Sequence, residues 1–337
     1  MFGHPHMFKR SNWLGLLLFL LFSSLLSACG LEEPIFPTPP SQAEPADETV
    51  DQGSVPIGER NFGAYFKGGA WNHADQREEL ERTIGHRFDM VLWFTSFEDP
   101  FEAAPVEKIL EGNRKPIVTW QPHDASLADI VAGKEDDYLR QWAKDTSALS
   151  GTLYIRPFPE MNGDWVPWSG DPELLKAAWI HIVDLFRAEG ADNVQWVWCP
   201  NITDWPRTEE NRFENYYPGD AYVDVLALDG FNWGTSRDNQ IWRSFDEIFT
   251  EPYERITALG DQPLWLAEIA SAEQGGDKAA WIEDMLSKTG YPQIDGIIWF
   301  NERKEADWRM QSTDRSLNAF KTWFEQSEAL AQAAPTD

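Results

Sequence analysis

From residue 60 onward the chain repeats one pattern: a short, nearly continuous apolar run followed by a longer amphipathic stretch. Eight such runs can be counted, at 61–66, 89–94, 116–120, 152–158, 194–198, 223–229, 263–268 and 296–300. Runs this short and this apolar are expected of strands covered on both faces. The stretches between them predict helices at 76–84, 105–110, 126–149, 172–188, 245–258, 278–287 and 317–326, with 214–222 the segment least committed to a helix. Strands alternating with helices imply a parallel sheet. Eight units in about 270 residues fit an α/β fold of the (β/α)8 TIM barrel type. The alternative is a doubly wound open sheet. It would use fewer strands and a Gly-rich first turn, and neither G-x-G-x-x-G nor a P-loop is present.

The N-terminus predicts an address rather than a fold. Lys9 and Arg10 precede an apolar run from Trp13 to Leu26, too short and wrongly flanked for a membrane span. It ends in Leu26-Ser27-Ala28-Cys29-Gly30, which resembles the bacterial lipoprotein box. The resemblance implies a signal peptide over 1–28 and lipidation at Cys29. Residues 29–59 then form a linker rich in Pro and acidic residues, with few apolar side chains to build a core. The expected protein is exported and lipid-anchored to a bacterial cell membrane. Residues 60–330 form its folded domain.

Composition removes several function classes. Asp and Glu number 56 against 28 Lys and Arg, a formal charge of −28, which repels nucleic acid and anionic surfaces. Only two cysteines occur, Cys29 and Cys199, so no intrachain disulfide is expected, and Cys199 reads as a small buried thiol. The six histidines fall into no metal-ligand spacing. No metal and no cofactor are expected. A monomer is the default for an extracellular domain. The 18 tryptophans supply flat faces that suit sugar rings as well as core packing.

In a barrel of this kind the active site lies at the C-terminal ends of the strands. Those ends carry Trp120, His123, Arg156, Glu160, Asn201, Asp229, Asn232, Glu268, Trp299 and Glu302. Two carboxylates stand out. If strand four persists to residue 160, Arg156, Phe158 and Glu160 share one face. Glu268 ends the apolar run of strand seven, across the mouth. Such a pair can flank a glycosidic bond, one group protonated to serve the leaving oxygen and the other ionised to attack the anomeric carbon. Structural roles compete: a cap for Glu160, an ion pair with a barrel arginine for Glu268.

Four segments carry a family resemblance. Residues 156–168 read RPFPEMNGDWVPW, and residues 266–281 read LAEIASAEQGGDKAAW. Residues 216–234 read YYPGDAYVDVLALDGFNWG, and 299–309 read WFNERKEADWR. Together they resemble glycoside hydrolase family 26, the β-mannanase and lichenase group of retaining barrels, over roughly residues 60–325. The resemblance implies Glu160 as acid/base and Glu268 as nucleophile. It also implies that Trp165, Trp168 and Trp299 help form the sugar subsites. Arg156, Asn162, Trp120, Phe231 and Trp233, at or near the same strand ends, are the further substrate contacts expected. It implies a polysaccharide substrate: β-mannan, mixed-linkage β-glucan or a related exopolysaccharide. Two departures stand against the family pattern. Pro159 replaces the usual His before the acid, and Phe231 replaces the usual Tyr near the nucleophile. They motivate the alternatives of a non-catalytic glycan-binding lipoprotein and of a transglycosylase using the same covalent intermediate.

Overall fold

The computed structural model describes residues 55–68 and 74–333. The signal peptide, Cys29 and nearly all of the linker lie outside these residues. Eight parallel strands close into a barrel in chain order. They are β1 (Asn61–Tyr65), β2 (Met90–Ser96), β3 (Lys115–Gln121), β4 (Leu153–Pro157), β5 (Val194–Trp198), β6 (Val225–Asn232), β7 (Leu264–Ser271) and β8 (Ile294–Phe300). The expected (β/α)8 barrel is therefore observed. The helices are α1 (Ala74–Ile84), α2 (Ala103–Glu111), α3 (Leu127–Val131), α4 (Asp136–Ser147), α5 (Pro172–Ala188), α6 (Phe245–Thr257), α7 (Lys278–Ser287) and α8 (Asp314–Ala333). Burial begins earlier than the expected domain start, at Ile57, whose N–H bonds the carbonyl of Lys288.

Two stretches differ from the sequence reading. The single helix expected over 126–149 is two, because Gly133 adopts φ +75° and ends α3. Such a φ is cheap only for glycine. The segment after β5 holds three 3-10 turns, Glu209–Asn211, Phe213–Tyr216 and Asp220–Tyr222, in place of a long helix. Arg255 of α6 pins this segment through Glu214 (2.7 Å) and Asp204 (2.8 Å). Glu214 is about half buried. Burial pushes its carboxyl up, but Arg255 and Arg212 hold it down at about 2.

Side-chain alternation sorts each strand into an inner and an outer set. Tyr154 of β4 meets Trp265 of β7 across the barrel at 4.9 Å between ring centroids, so both point inward. Arg156, two residues after Tyr154, shares that inner face. Outward residues pack on the helices. Phe62 meets Phe324 of α8 at 5.2 Å, and Trp120 stacks on Trp142 of α4 at 4.4 Å. Apolar burial between barrel and helix ring is the main source of stability.

One irregularity positions the site. Leu228 pairs with Leu266 and Asp229 with Glu268, so Ala267 is an extra residue in β7. The pairing with β8 shows the same shift. In a regular strand Trp265 and Glu268, three apart, face opposite sides. The bulge at Ala267 turns both inward.

Candidate active site

The inner face at the C-terminal end of the barrel is built around one cation. Arg156 is completely buried. Its Nη1 donates to both oxygens of Asp229, at 2.8 and 3.1 Å, and its Nη2 donates to Glu268 Oε1. Its Nε donates to Thr119 Oγ1 at 3.0 Å. Asp229 also accepts from the Cys199 thiol at 3.2 Å. Four strands thus meet on the guanidinium: β3, β4, β6 and β7. Arg156 is not a substrate contact, as the sequence had suggested, because no surface of it remains open. Its role is to hold Glu268.

The electrostatics follow from burial. Burial pushes the Glu268 carboxyl up, the Arg156 charge pulls it down, and the field of Glu160 pushes it up again, for a net rise. Burial likewise raises Asp229, against Arg156. Burial lowers the Arg156 pKa, but Asp229 and Glu268 more than reverse this. Two carboxylates share one cation, so each is dearer to ionise than in water.

Glu160 is held differently. β4 stops at Pro157. Phe158 and Glu160 then adopt φ +53° and +56°. These left-handed residues break the alternation that would have placed Phe158 beside Arg156. Phe158 instead turns outward to Phe97 and Trp179 of α5. The Glu160 N–H bonds the Cys199 carbonyl at 2.9 Å, tying the acid's loop to the end of β5. Asn201 Nδ2 donates to Glu160 Oε1 at 2.6 Å, and Trp165 Nε1 donates to Oε2 at 2.7 Å. Gly163 makes the second bond possible, since a Cβ there would overlap the Trp165 ring.

The remaining expected substrate contacts divide. Trp165 is 49% exposed beside the acid. Phe231 and Trp233 are half-buried and lean on Trp308 at 5.1 and 4.8 Å. Trp120 and Trp299 face the helix layer and are fully buried, Trp299 meeting Phe320 of α8 at 5.1 Å. Neither can meet substrate. Trp168 is buried too and donates to the Pro159 carbonyl at 2.8 Å, bracing the acid's loop. Asn162 is also fully buried. Its Nδ2 donates to the Asn201 carbonyl and to Asp204, and its Oδ1 accepts the Asn201 N–H, so it fastens the β4 and β5 loops together.

Three residues at the site had no assigned role in the sequence. Asp229 was legible as an acid inside an apolar strand. Asn201 was legible only as polar at a strand end. Tyr65 gave no signal. Burial and the fields of Glu302 and Glu268 push its phenol well above the usual range, and Glu302 is paired with Lys67 at 3.2 Å. Among the described residues no group of three or more His, Cys, Asp and Glu converges as metal ligands would.

Similarity to known proteins falls on the same residues. The model of glycosyl hydrolase family 26 matches residues 136–308, which include Glu160 and Glu268. Endoglucanase H of Acetivibrio thermocellus is 35% identical over 280 residues, 77% of this chain and 30% of its own length. Mannan endo-1,4-beta-mannosidase A and B of Caldalkalibacillus mannanilyticus is 27% identical over 165 residues, 45% of this chain and 28% of its own length. The chain thus spans under a third of either relative. An endo-beta-1,4-mannanase from Cellulomonas fimi superposes with a TM-score of 0.61 at 18% identity, over 81% of this chain and 72% of that one. A beta-mannanase of the same family from Bacteroides ovatus gives 0.60 at 17%, over 81% and 91%. At such identities these structures speak to the fold.

Replacing Arg156 by Met removes the cation that Asp229 and Glu268 share and leaves two buried carboxylates. Arg156→Met should lose about 3–5 kcal/mol of stability at pH 7. Both carboxyl pKa values are already raised in the folded wild type against the pull of Arg156, and without that cation they rise further, so lowering the pH stabilises the variant more than the wild type. The deficit should therefore shrink between pH 7 and pH 5. Urea denaturation of both proteins at the two pH values measures it. A deficit that is equal or larger at pH 5 contradicts this electrostatic account.

Proposed function

The chain belongs to glycosyl hydrolase family 26, and from that premise we propose that it is a retaining endo-β-glycosidase with Glu268 as nucleophile and Glu160 as acid/base. The observation that carries the reading is the contrast between the two carboxylates. Glu268 is buried and fixed by a permanent cation. Glu160 is at the rim, held by two neutral donors that can release it.

The steps follow from these positions. Glu160 gives its proton to the glycosidic oxygen while a Glu268 oxygen bonds to the anomeric carbon and the bond to the leaving sugar breaks. Water, deprotonated by Glu160, then attacks the same carbon and frees Glu268. In the first step Glu268 loses its charge to an ester. Arg156 remains paired with Asp229 throughout, so no buried cation is stranded. The negative field of Asp229 and Glu268 lies beside the anomeric centre, where positive charge develops in the transition state.

The substrate class is a neutral β-linked polysaccharide, either β-mannan, mixed-linkage β-glucan or a related exopolysaccharide. The names of the relatives, an endoglucanase and a mannan endo-1,4-beta-mannosidase, support endo-acting chemistry on a glucan or a β-1,4-mannan. The acidic surface and the site carboxylates argue against anionic polymers. Phe231 lacks the hydroxyl of the family's usual tyrosine, which favours keeping the glycan-binding alternative in the test. The 26–30 sequence supports lipidation at Cys29, which would tether the enzyme to the cell envelope.

Two experiments test this reading. Reducing-sugar release should appear on one of mannan, barley-type β-glucan or cellulose, and should vanish in Glu160→Gln and Glu268→Gln. The raised Glu268 pKa places the acid limb of kcat/KM above the ordinary carboxyl value, because the nucleophile must be ionised. Silence of folded wild-type protein across the panel would favour the binding role. Separately, cell fractionation should find the wild type in membranes and Cys29→Ala released; equal membrane retention would remove the anchor.

A further inference from the structure

Among the described tryptophans only Trp165 and Trp205 are exposed, each at 49%. They sit on different loops, after β4 and after β5, yet the backbone joins them. Gly163 and Trp205 form an isolated parallel bridge, and the Trp205 N–H bonds the Asn162 carbonyl at 2.9 Å. The Trp165 ring lies directly over Gly163. The Trp205 backbone is therefore fixed beside the glycine that the Trp165 ring covers, and Trp165 donates to Glu160.

The Trp205 backbone is unusually well fastened for an exposed loop. Asn211 Nδ2 donates to the Asn162 carbonyl at 2.8 Å and to the Pro206 carbonyl at 3.0 Å. Asn211 Oδ1 in turn accepts from the buried Tyr216 hydroxyl at 2.6 Å. The 3-10 segment that replaces a helix after β5 thus serves as a brace for residues 205–206. A half-exposed indole on a rigid backbone forgoes burial of a large apolar face. It also offers a partner a surface that costs little entropy to order.

We propose that Trp205, together with Trp165, forms a sugar-binding platform for the leaving-group side of a neutral β-linked polysaccharide. The inference rests on the reading of Glu160 as proton donor, because the departing sugar must lie beside the group that protonates it. From Glu160 the path outward crosses Trp165, then Gly163, then Trp205. The ligand is the pyranose face, whose C–H groups meet the negative face of an indole. Trp205 touches substrate beyond the bond that is cleaved, so it acts on binding and not on the chemical step.

The test is equilibrium binding, which needs no turnover. Full-length protein carrying Glu268→Gln is titrated calorimetrically with β-1,4-linked mannohexaose and glucohexaose, alone and combined with Trp205→Ala or Trp205→Phe. The expected result is that Trp205→Ala weakens binding of at least one hexasaccharide by about tenfold and Trp205→Phe recovers much of it. Circular dichroism confirms that each variant is folded. Unchanged affinity in Trp205→Ala overturns the proposal, as does the absence of binding by both hexasaccharides. Wild-type protein that binds through Trp205 but cleaves nothing would leave the sugar-binding role of Trp205 standing and defeat the enzymatic reading, together with the leaving-group assignment that rests on it.

Discussion

The site depends on one buried guanidinium shared by two carboxylates. Arg156 has no contact with solvent, and its hydrogen bonds reach Asp229, Glu268 and Thr119 on three other strands. Burying such a group in isolation is prohibitive, and breaking a buried pair costs several kcal/mol. The arrangement is therefore a poor way to gain stability. It is a good way to fix a carboxylate, which is what the proposed nucleophile role of Glu268 needs. Under the proposed mechanism the cation is not stranded when the Glu268 charge is consumed, because Asp229 still holds it.

Backbone irregularity delivers the two carboxylates to this centre. The extra residue Ala267 in β7 brings Glu268 onto the inner face. Left-handed conformations at Phe158 and Glu160 end β4 and lift Glu160 to the rim. One acid is thus deep and ion-paired, the other shallow and held by Asn201 and Trp165. Both features strain or interrupt regular structure beside the site, where such departures are tolerated for function. Asn162, buried between the β4 and β5 loops, keeps the acid's loop from drifting.

The sequence disclosed the barrel because strands covered on both faces read as continuous apolar runs, and all eight lie where those runs are. The same continuity hid which residues face inward. With no polar alternation, nearness to a strand end and, for Trp299, the family resemblance were the guides, and they placed Trp120 and Trp299 at the substrate when they pack against α4 and α8. The bulge at Ala267 and the positive φ of Phe158 carry no glycine to announce them. Asp229 could have been found, as a charged side chain within an apolar strand has to be paired. Trp205 could not, since an exposed tryptophan in a loop looks like any other until the loop is seen to be pinned.

The central claim is that Glu268 attacks the anomeric carbon directly and Glu160 serves both half-reactions. The stereochemistry of the first product reports this without further assumption. Proton NMR of the anomeric signals, followed from the first minutes of hydrolysis of whichever polymer is cleaved, distinguishes the outcomes. The account predicts that the β-anomer of the new reducing end appears first and then mutarotates. Initial appearance of the α-anomer would mean that water attacks directly, and would contradict a covalent role for Glu268.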